Sequence, residues 1–431
     1  MVQLTKNDRN AVATMVLAVI VIVLMLIAGI VGYYAAGSKT STATSTQFST
    51  LTSTVISTVT STALSTSISS STVTQTSIST QTTVATPVLL AAGSSSYPTP
   101  SAPITEAGSS LLAPLFALWA ANFTLLYPNV KISTAAGGSG AGQTGVQQNT
   151  TNLGGSDPFA SPAQVQAHPD IINIAVAVSS QQVNYNIPGI AQSTHLNFTG
   201  NVLAGIYNGS ITYWDATPIK ALQSASVAAL LPHQLIVPLH RSDSSGDTNL
   251  FTTYLSDSSP DWAKNFGAGN TVQWANVPSA EAENGNSGML TACAQTQYSI
   301  AYIGVSYLAS ANSDGLGNAA LQNLAGSFIQ LTTATVTAAL NAQYTNTPPS
   351  ERVSLIYGPG VNSYPIVNFE YVWVQKNQPS TTLQQDIQAI LYYATLPQDG
   401  NSAYFLNQVG FVALPPSIAQ LSWAQIAEIT G

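Results

Sequence analysis

Beyond residue 100 the chain repeats one local theme four times: a short strand-like run, a turn made of Ser and Gly, then a segment with helical spacing. In the first unit Gly108-Ser109-Ser110 precedes Leu112, Leu115, Phe116, Trp119 and Phe123, a single apolar stripe at the helical period. Ser109 or Ser110 supplies the cap, and Pro114 is tolerated in the first turn, where a missing N–H has no partner to lose. The second unit leads from Val130–Ser133 through the glycine-rich turn Gly137–Gly142 into Gln143 onward, and the third is built around Gly154-Gly155-Ser156-Asp157-Pro158. Ile171–Val178 is a continuous apolar run, expected of a strand buried on both faces of a parallel sheet. Strands alternating with helices imply an α/β architecture whose Ser/Gly turns lie at the carboxyl ends of strands.

In the fourth unit Leu235–Leu239 reads as a strand, residues 240–248 as the turn, and Leu250, Phe251, Tyr254 and Leu255 as the buried face of a helix. Arg241, Ser244, Ser245 and Gly246 thus sit together at a helix N-terminus. Each has a use for an oxyanion: free N–H groups and the helix dipole favour negative charge, hydroxyls donate, and a guanidinium donates two parallel hydrogen bonds. Of the three arginines, Arg9 is near the N-terminus and Arg352 lies in a Pro-rich loop, which leaves Arg241 alone inside an anion-shaped turn. Taken singly, a Ser-Ser pair before a helix reads as a cap, a Gly-Ser-Gly turn as a loop, and Arg241 beside Asp243 as a local ion pair. Four such turns in one α/β head point to a ligand site.

Charge usage removes other classes. The chain has 9 basic and 17 acidic residues, 6% charged in all, so it lacks the clustered Lys and Arg that bind nucleic acid. The run GGSGAGQT has P-loop glycine spacing but Gln143 where a lysine must reach the phosphates. No G-x-S-x-G elbow is centred on Ser139 or Ser245. The single cysteine, Cys293, and four scattered histidines make neither an intramolecular disulfide nor a zinc site. Only His240 borders the candidate turn, either as a packed or solvent-facing ring or as a base for Ser245. The expectation is a binding protein, with no catalytic residue, no metal and no cofactor.

The N-terminal part has its own organisation. Residues 11–34 carry no charge and are rich in Val, Ile, Leu and Met; as a helix they would span a bilayer core of ~30 Å. With Lys6 and Arg9 before them, residues 1–10 are expected in the cytoplasm and everything after Tyr34 outside the cell. A cleaved signal ending near Ala35-Ala36-Gly37 and a pilin-like assembly leader are the rival readings. Residues 35–100 are dominated by Ser and Thr between 38 and 86 and read as a stalk, O-glycosylated or bare, that cannot fold as a packed unit. Four N-x-S/T sequons, at Asn122, Asn149, Asn197 and Asn208, suit an external head. A surface so poor in charge also suits an acidic habitat.

The ordered blocks AGSSLLAPLFALWA, GGSGAGQTGV, GGSDPFAS, HRSDSSGDTNLF and GNSGMLTACAQTQYSIAYIG span the head from Pro100 to Gly431. Together they resemble the phosphate-binding proteins of ABC phosphate importers, as do LNFTGNVLAGIYNGSITYWD and NSYPIVNFEYVWV. The resemblance implies a type II periplasmic-binding-protein fold, two α/β lobes joined by hinge strands and closing over an oxyanion. Lobe I would hold residues 101–178 and 367–431, and lobe II residues 179–366. Carried over by position, Ser110 and the Leu111 amide, Ser139 and Asp157 would bind phosphate from the first lobe. Arg241, Ser245, Gly246 and Asp247 would bind it from the second, with Asp243 orienting the arginine. Asp247 stands where the family's threonine hydroxyl is familiar, so a carboxylate there would have to be protonated, turned away or used only through its amide; Thr248 is the alternative hydroxyl. Leu111 stands where an aromatic is familiar, a milder change because the amide is what binds.

The resemblance, with the apolar run 11–34 read as an anchor, thus implies a membrane-tethered extracellular receptor whose partners are inorganic phosphate and the permease subunits of an ABC transporter. The alternatives are a receptor for sulfate, molybdate or tungstate, and a surface or filament subunit that reuses the two-lobed fold. Asp157 would set selectivity: a phosphate that keeps a proton can donate to a carboxylate, whereas fully ionised sulfate meets lone pair with lone pair.

Overall fold

The computed structural model describes residues 50–63, 71–84, 86, 87, 89 and 103–431. The expected membrane span at 11–34 lies outside the described residues. Among those that are described, no helix is long and apolar enough to cross a membrane. In the Ser/Thr tract, β1 (Thr50–Ala63) and β2 (Ser71–Val84) pair antiparallel along their whole length, Thr50 opposite Val84 and Ala63 opposite Ser71. An extended stalk was the expectation; the β-branched Thr, Val and Ile of this tract favour a strand backbone, and the result is a two-stranded ribbon rather than a packed layer.

The remaining strands are β3 (Ile104–Gly108), β4 (Ile132–Ala136), β5 (Leu153–Ser156), β6 (Ile171–Tyr185), β7 (Asn197–Phe198), β8 (Val237–Arg241), β9 (Glu281–Glu283), β10 (Ser299–Gly304), β11 (Gly317–Asn318), β12 (Ala320–Gln322), β13 (Phe328–Ile329) and β14 (Val367–Gln375). Nine of these form one sheet in the order β4-β3-β5-β14-β6-β10-β8-β9, with β11 also on β6, while β13-β12-β7 form a small second sheet. Two parallel sets, β4-β3-β5 and β10-β8-β9, lie on either side of the antiparallel strands β14 and β6. This is a mixed α/β, two-lobed architecture.

The first helix, Ala113–Leu126, buries Leu115, Phe116, Trp119 and Phe123 as the apolar stripe requires, and Trp119 Nε1 donates to the Gly400 carbonyl at 2.8 Å. The helix Gly246–Ser258 buries Leu250, Phe251, Tyr254 and Leu255 in the same way. Strand β6 corrects the sequence expectation twice. It is antiparallel to both β14 and β10, not part of a parallel run, and it continues past Val178 through Ser179, Ser180, Gln181, Gln182 and Asn184, all buried. Polarity at these positions conceals the strand from an apolar pattern. Burial is tolerated where partners exist: Gln181 Nε2 donates to the Asp247 carbonyl at 2.9 Å, and Ser179 Oγ to Asn368 Oδ1 at 2.7 Å.

Candidate functional site

Every site residue named from the sequence lies at or just beyond the carboxyl end of a strand. After β3, Ser109 turns its hydroxyl back to accept from the N–H groups of Leu111 and Leu112, at 3.1 and 3.0 Å. Ser109 therefore closes the turn that leads into the helix Ala113–Leu126, whose own N-cap, Leu112, makes no side-chain cap bond, and the Ser110 hydroxyl is left for other partners. After β5, Asp157 accepts from the Ser109 hydroxyl through Oδ1, and its N–H donates to Ser139 Oγ at 3.1 Å. Ser139 opens the helix Ser139–Gln147, preceded by Gly138 at φ 84°. A side chain at Gly138 would meet both a left-handed backbone and Asp243 Oδ2, so glycine is required there on two counts. Gln143, at the position of the missing P-loop lysine, serves to hold neighbouring segments together. Its Nε2 donates to Ser156 Oγ at 2.8 Å, and its Oε1 accepts from Asn270 Nδ2 at 3.1 Å.

In the second lobe Ser245 caps the helix Gly246–Ser258 by accepting from the Thr248 N–H. Arg241 is the end of β8, and its buried guanidinium spends three of its five N–H groups on carboxylates: Nε and Nη2 donate to the two oxygens of Asp243, the first at 2.7 Å, and Nη1 donates to Asp247 Oδ2 at 2.9 Å. Asp247 also accepts from Asn286 Nδ2 at 2.6 Å and from Gln181 Nε2 at 3.1 Å. Its carboxylate is thus turned onto the protein's own cation and amides. The Thr248 hydroxyl pairs with Tyr302 Oη at 2.8 Å, and Tyr302 Oη accepts from the Arg241 N–H at 2.9 Å. His240 stacks on Trp274 with centroids 4.7 Å apart, the packed reading of this ring.

The two sets of turns meet. The Gly140 N–H donates to the Ser244 carbonyl at 2.9 Å, and Gly246 lies against both Ser139 Oγ and Asp157 Oδ2. Asn286, the second residue of the helix Gly285–Gln295, ties both sides together. Its N–H and Nδ2 donate to Ser110 Oγ at 3.1 and 3.0 Å, its Nδ2 also reaches Asp247, and its Oδ1 accepts from the Gly304 N–H at 2.8 Å. Ser110, Ser139, Asp157, Arg241, Asp243, Ser245, Gly246, Asp247 and Thr248 all occupy this one place, with Leu111 buried behind Ser110.

The electrostatics are unusual for an anion site, because carboxyl groups outnumber the guanidinium. Burial raises Asp157 well above the ordinary carboxylate range, reinforced by the negative charges of Glu370 and Asp247. Burial also raises Asp247, partly offset by Arg241, Gln181 and Asn286. For Asp243 burial is outweighed by the Arg241 guanidinium, which holds it below the ordinary range. Burial lifts Glu370, on β14, to about 7. Its Oε1 accepts from Ser179 Oγ at 2.5 Å and from Asn368 Nδ2 at 2.9 Å.

Similarity to known sequences settles the family of the chain. Residues 65–391 match the PBP superfamily domain. Over 324 residues the chain is 36% identical to the phosphate-binding protein PstS of Methanocaldococcus jannaschii, covering 70% of this chain and 80% of that one. This chain belongs to the PstS family of the PBP superfamily. A second PstS protein, from Pasteurella multocida, is 30% identical over 75% of this chain and 89% of its own. Among solved structures, the phosphate-binding protein from Stenotrophomonas maltophilia superposes with a TM-score of 0.55 at 18% identity, covering 75% of this chain and 94% of that one. The periplasmic phosphate-binding protein PfluDING superposes with a TM-score of 0.59 at 20% identity, covering 75% and 93%. Both share the PstS fold seen here.

Sequence reasoning overlooked Asn286, Gln181, Asn368, Glu370 and Tyr302. One signal was available: Glu370 is the sole charge in the run Ile366–Val374. Gln181 carries no local signature of a site, whereas Asn286 lies in the block GNSGMLTACAQTQYSIAYIG.

Proposed function

We propose that this chain is an extracellular receptor that captures inorganic phosphate between its lobes and delivers it to the permease subunits of an ABC importer. The observation that carries this reading is the meeting of Ser139 and Asp157 with Gly246 at the carboxyl ends of strands from both parallel sets. The PstS relatives named above are called phosphate-binding proteins. In this reading Ser110, Ser139, Ser245 and the N–H groups of Gly246 and Asp247 donate to the ligand, while the Leu111 N–H, expected to donate as well, is turned onto Ser109 Oγ. Arg241 already serves two carboxylates, so neutral dipoles supply most of the attraction. Each hydrogen bond to a charged group contributes about 1.5 to 3 kcal/mol against the roughly 8 kcal/mol of micromolar affinity. Asp157 Oδ2 has no donor of its own among the described residues and accepts the proton that phosphate retains. Fully ionised sulfate has no such proton to offer.

Residues 101–178 with 367–431 are proposed as one lobe and 179–366 as the other, with β6 and β14 as the hinge. Residues 11–34 are proposed as a single-pass anchor and 35–100 as the stalk, on the apolar run and the Ser/Thr composition. Asn149, exposed, is the sequon best placed to carry a glycan.

The test is a melting-temperature panel on the purified chain with phosphate, sulfate, molybdate and tungstate. Phosphate at a hundredfold excess over its Kd is expected to add about 2.7 kcal/mol of stability, and sulfate none. No rise with phosphate sinks the reading. A rise with molybdate or tungstate alone moves it to another oxyanion.

A further inference from the structure

Behind Asp157 the site has a second carboxyl group that the phosphate reading does not use. The Asn368 amide holds Glu370 close to Asp157, donating to the Asp157 carbonyl and to Glu370 Oε1, and the negative charge of Glu370 helps to raise Asp157. Asp157 Oδ1 is occupied by the Ser109 hydroxyl, and Glu370 Oε1 by Ser179 and Asn368. Neither Asp157 Oδ2 nor Glu370 Oε2 receives an N–H or O–H from the described residues. Two neighbouring carboxylates, each with a bare buried oxygen, repel; one proton shared between them would replace that repulsion with attraction. The backbone is arranged for this meeting. The pairing of β14 with β6 slips by one residue between Glu370 and Tyr371, and the Asn368 amide donates to both the Asp157 carbonyl and Glu370 Oε1, at 3.2 and 2.9 Å.

We propose that Asp157 and Glu370 form a carboxyl pair in the wall of the binding site, and that phosphate capture is accompanied by the uptake of one proton from solvent by this otherwise unprotonated pair. Glu370 is the positioning residue that sets the pH range. The inference rests on the phosphate reading above and deepens it. The charged and titratable groups facing the pair are Asp247 from the helix Gly246–Ser258, Arg241 and Asp243 beyond it, and Tyr371 next to Glu370 on β14. Only one of these is a cation, and it is shared by Asp243 and Asp247. An arriving anion therefore adds negative potential to a place with no spare positive charge, and the least costly response is for the pair to take a proton from solvent. No bond other than that O–H is made.

The linkage makes a measurable statement. Near and above pH 7, where burial places the titration of Glu370, phosphate affinity weakens with rising pH, by up to about tenfold per pH unit for one linked proton. Titration calorimetry on the whole chain, in two non-phosphate buffers of different ionisation heat and at several pH values, reads both the affinity and the protons taken up. Phosphate's own ionisation enters every such titration equally, so the comparison is with Glu370→Gln. That variant is expected to lose the extra proton uptake, to bind more tightly than the unaltered chain at pH 8, and to match it at pH 5. Infrared difference spectroscopy of the unaltered chain is independent of the variant's folding: phosphate addition at pH 7.5 should increase the protonated-carboxyl band. Phosphate binding with no growth of that band, or with the same pH profile and proton count in Glu370→Gln, overturns the proposal. Absence of phosphate binding to the unaltered chain at any pH overturns the phosphate reading instead.

Discussion

Gly246 faces Asp157 across the site with room for a hydrogen and nothing larger: a Cβ at Gly246 would run into both Asp157 Oδ2 and Ser139 Oγ. Gly246 opens a helix in one half of the sheet, and Asp157 follows a strand in the other. A methyl group at this position would act as a wedge. Gly246→Ala is expected to cost the closed form about 1 to 3 kcal/mol, lowering phosphate affinity by roughly fivefold to a hundredfold, with little change in ligand-free melting temperature. Calorimetry checks this, and unchanged affinity would contradict the close approach.

Arg241 holds two buried carboxylates in place. Arg241→Ala leaves Asp247 with a buried charge and no cation, which typically costs about 3 to 5 kcal/mol. Arg241→Lys keeps the charge but loses the fork that spans both Asp243 oxygens, so an intermediate loss is expected. Urea unfolding of the two variants should rank them in that order.

Asp157→Asn exchanges an acceptor for a group that can also donate. Sulfate then finds a partner, and the preference for phosphate over sulfate is expected to fall at least tenfold in competition calorimetry. An unchanged preference would remove Asp157 from the selectivity argument.

Glu351 and Glu106 predict how stability responds to pH. Glu351 has φ 55° and accepts from the Ala175 N–H at 2.9 Å, Ser422 Oγ at 2.7 Å and Gln425 Nε2 at 2.6 Å, yet burial pushes it up to about 8. Burial pushes Glu106 to about 8 as well. Both ionise near 4.5 in the unfolded chain, so between 4.5 and 8 the folded chain binds the extra protons. Their contribution is complete below 4.5 and is lost as pH rises toward 8, at about 1 kcal/mol per group per pH unit. The melting temperature is therefore expected to be higher at pH 5 than at pH 8, as an acidic habitat would require, and Glu351→Gln to flatten the slope. A melting temperature that climbs steadily from pH 3 to pH 7 would rule this out.

Much of the site was legible because its signals are local. Ser109, Ser139 and Ser245 sit at helix starts, Gly138 and Gly246 at close approaches, and Arg241 at the end of an apolar strand, all readable within about a dozen residues. The order of family blocks then placed these turns in one site. The apolar stripe of the first helix fixed its buried face for the same reason.

What local pattern could not reach depends on pairings between distant segments. Ser110 and Asn286 are separated by 176 positions and Ser179 and Glu370 by 191, and no periodicity links them. The run from Ser179 to Asn184 looks too polar for a buried strand until β14, β10 and Asp247 supply its partners. Sequence alone determined which corners can hold an anion, since hydroxyls, glycines and helix starts are properties of neighbours along the chain. Tertiary structure decided how many carboxyl groups share that place, because a one-residue slip between β14 and β6 sets where Glu370 lies, and burial then pushes its titration up to about 7.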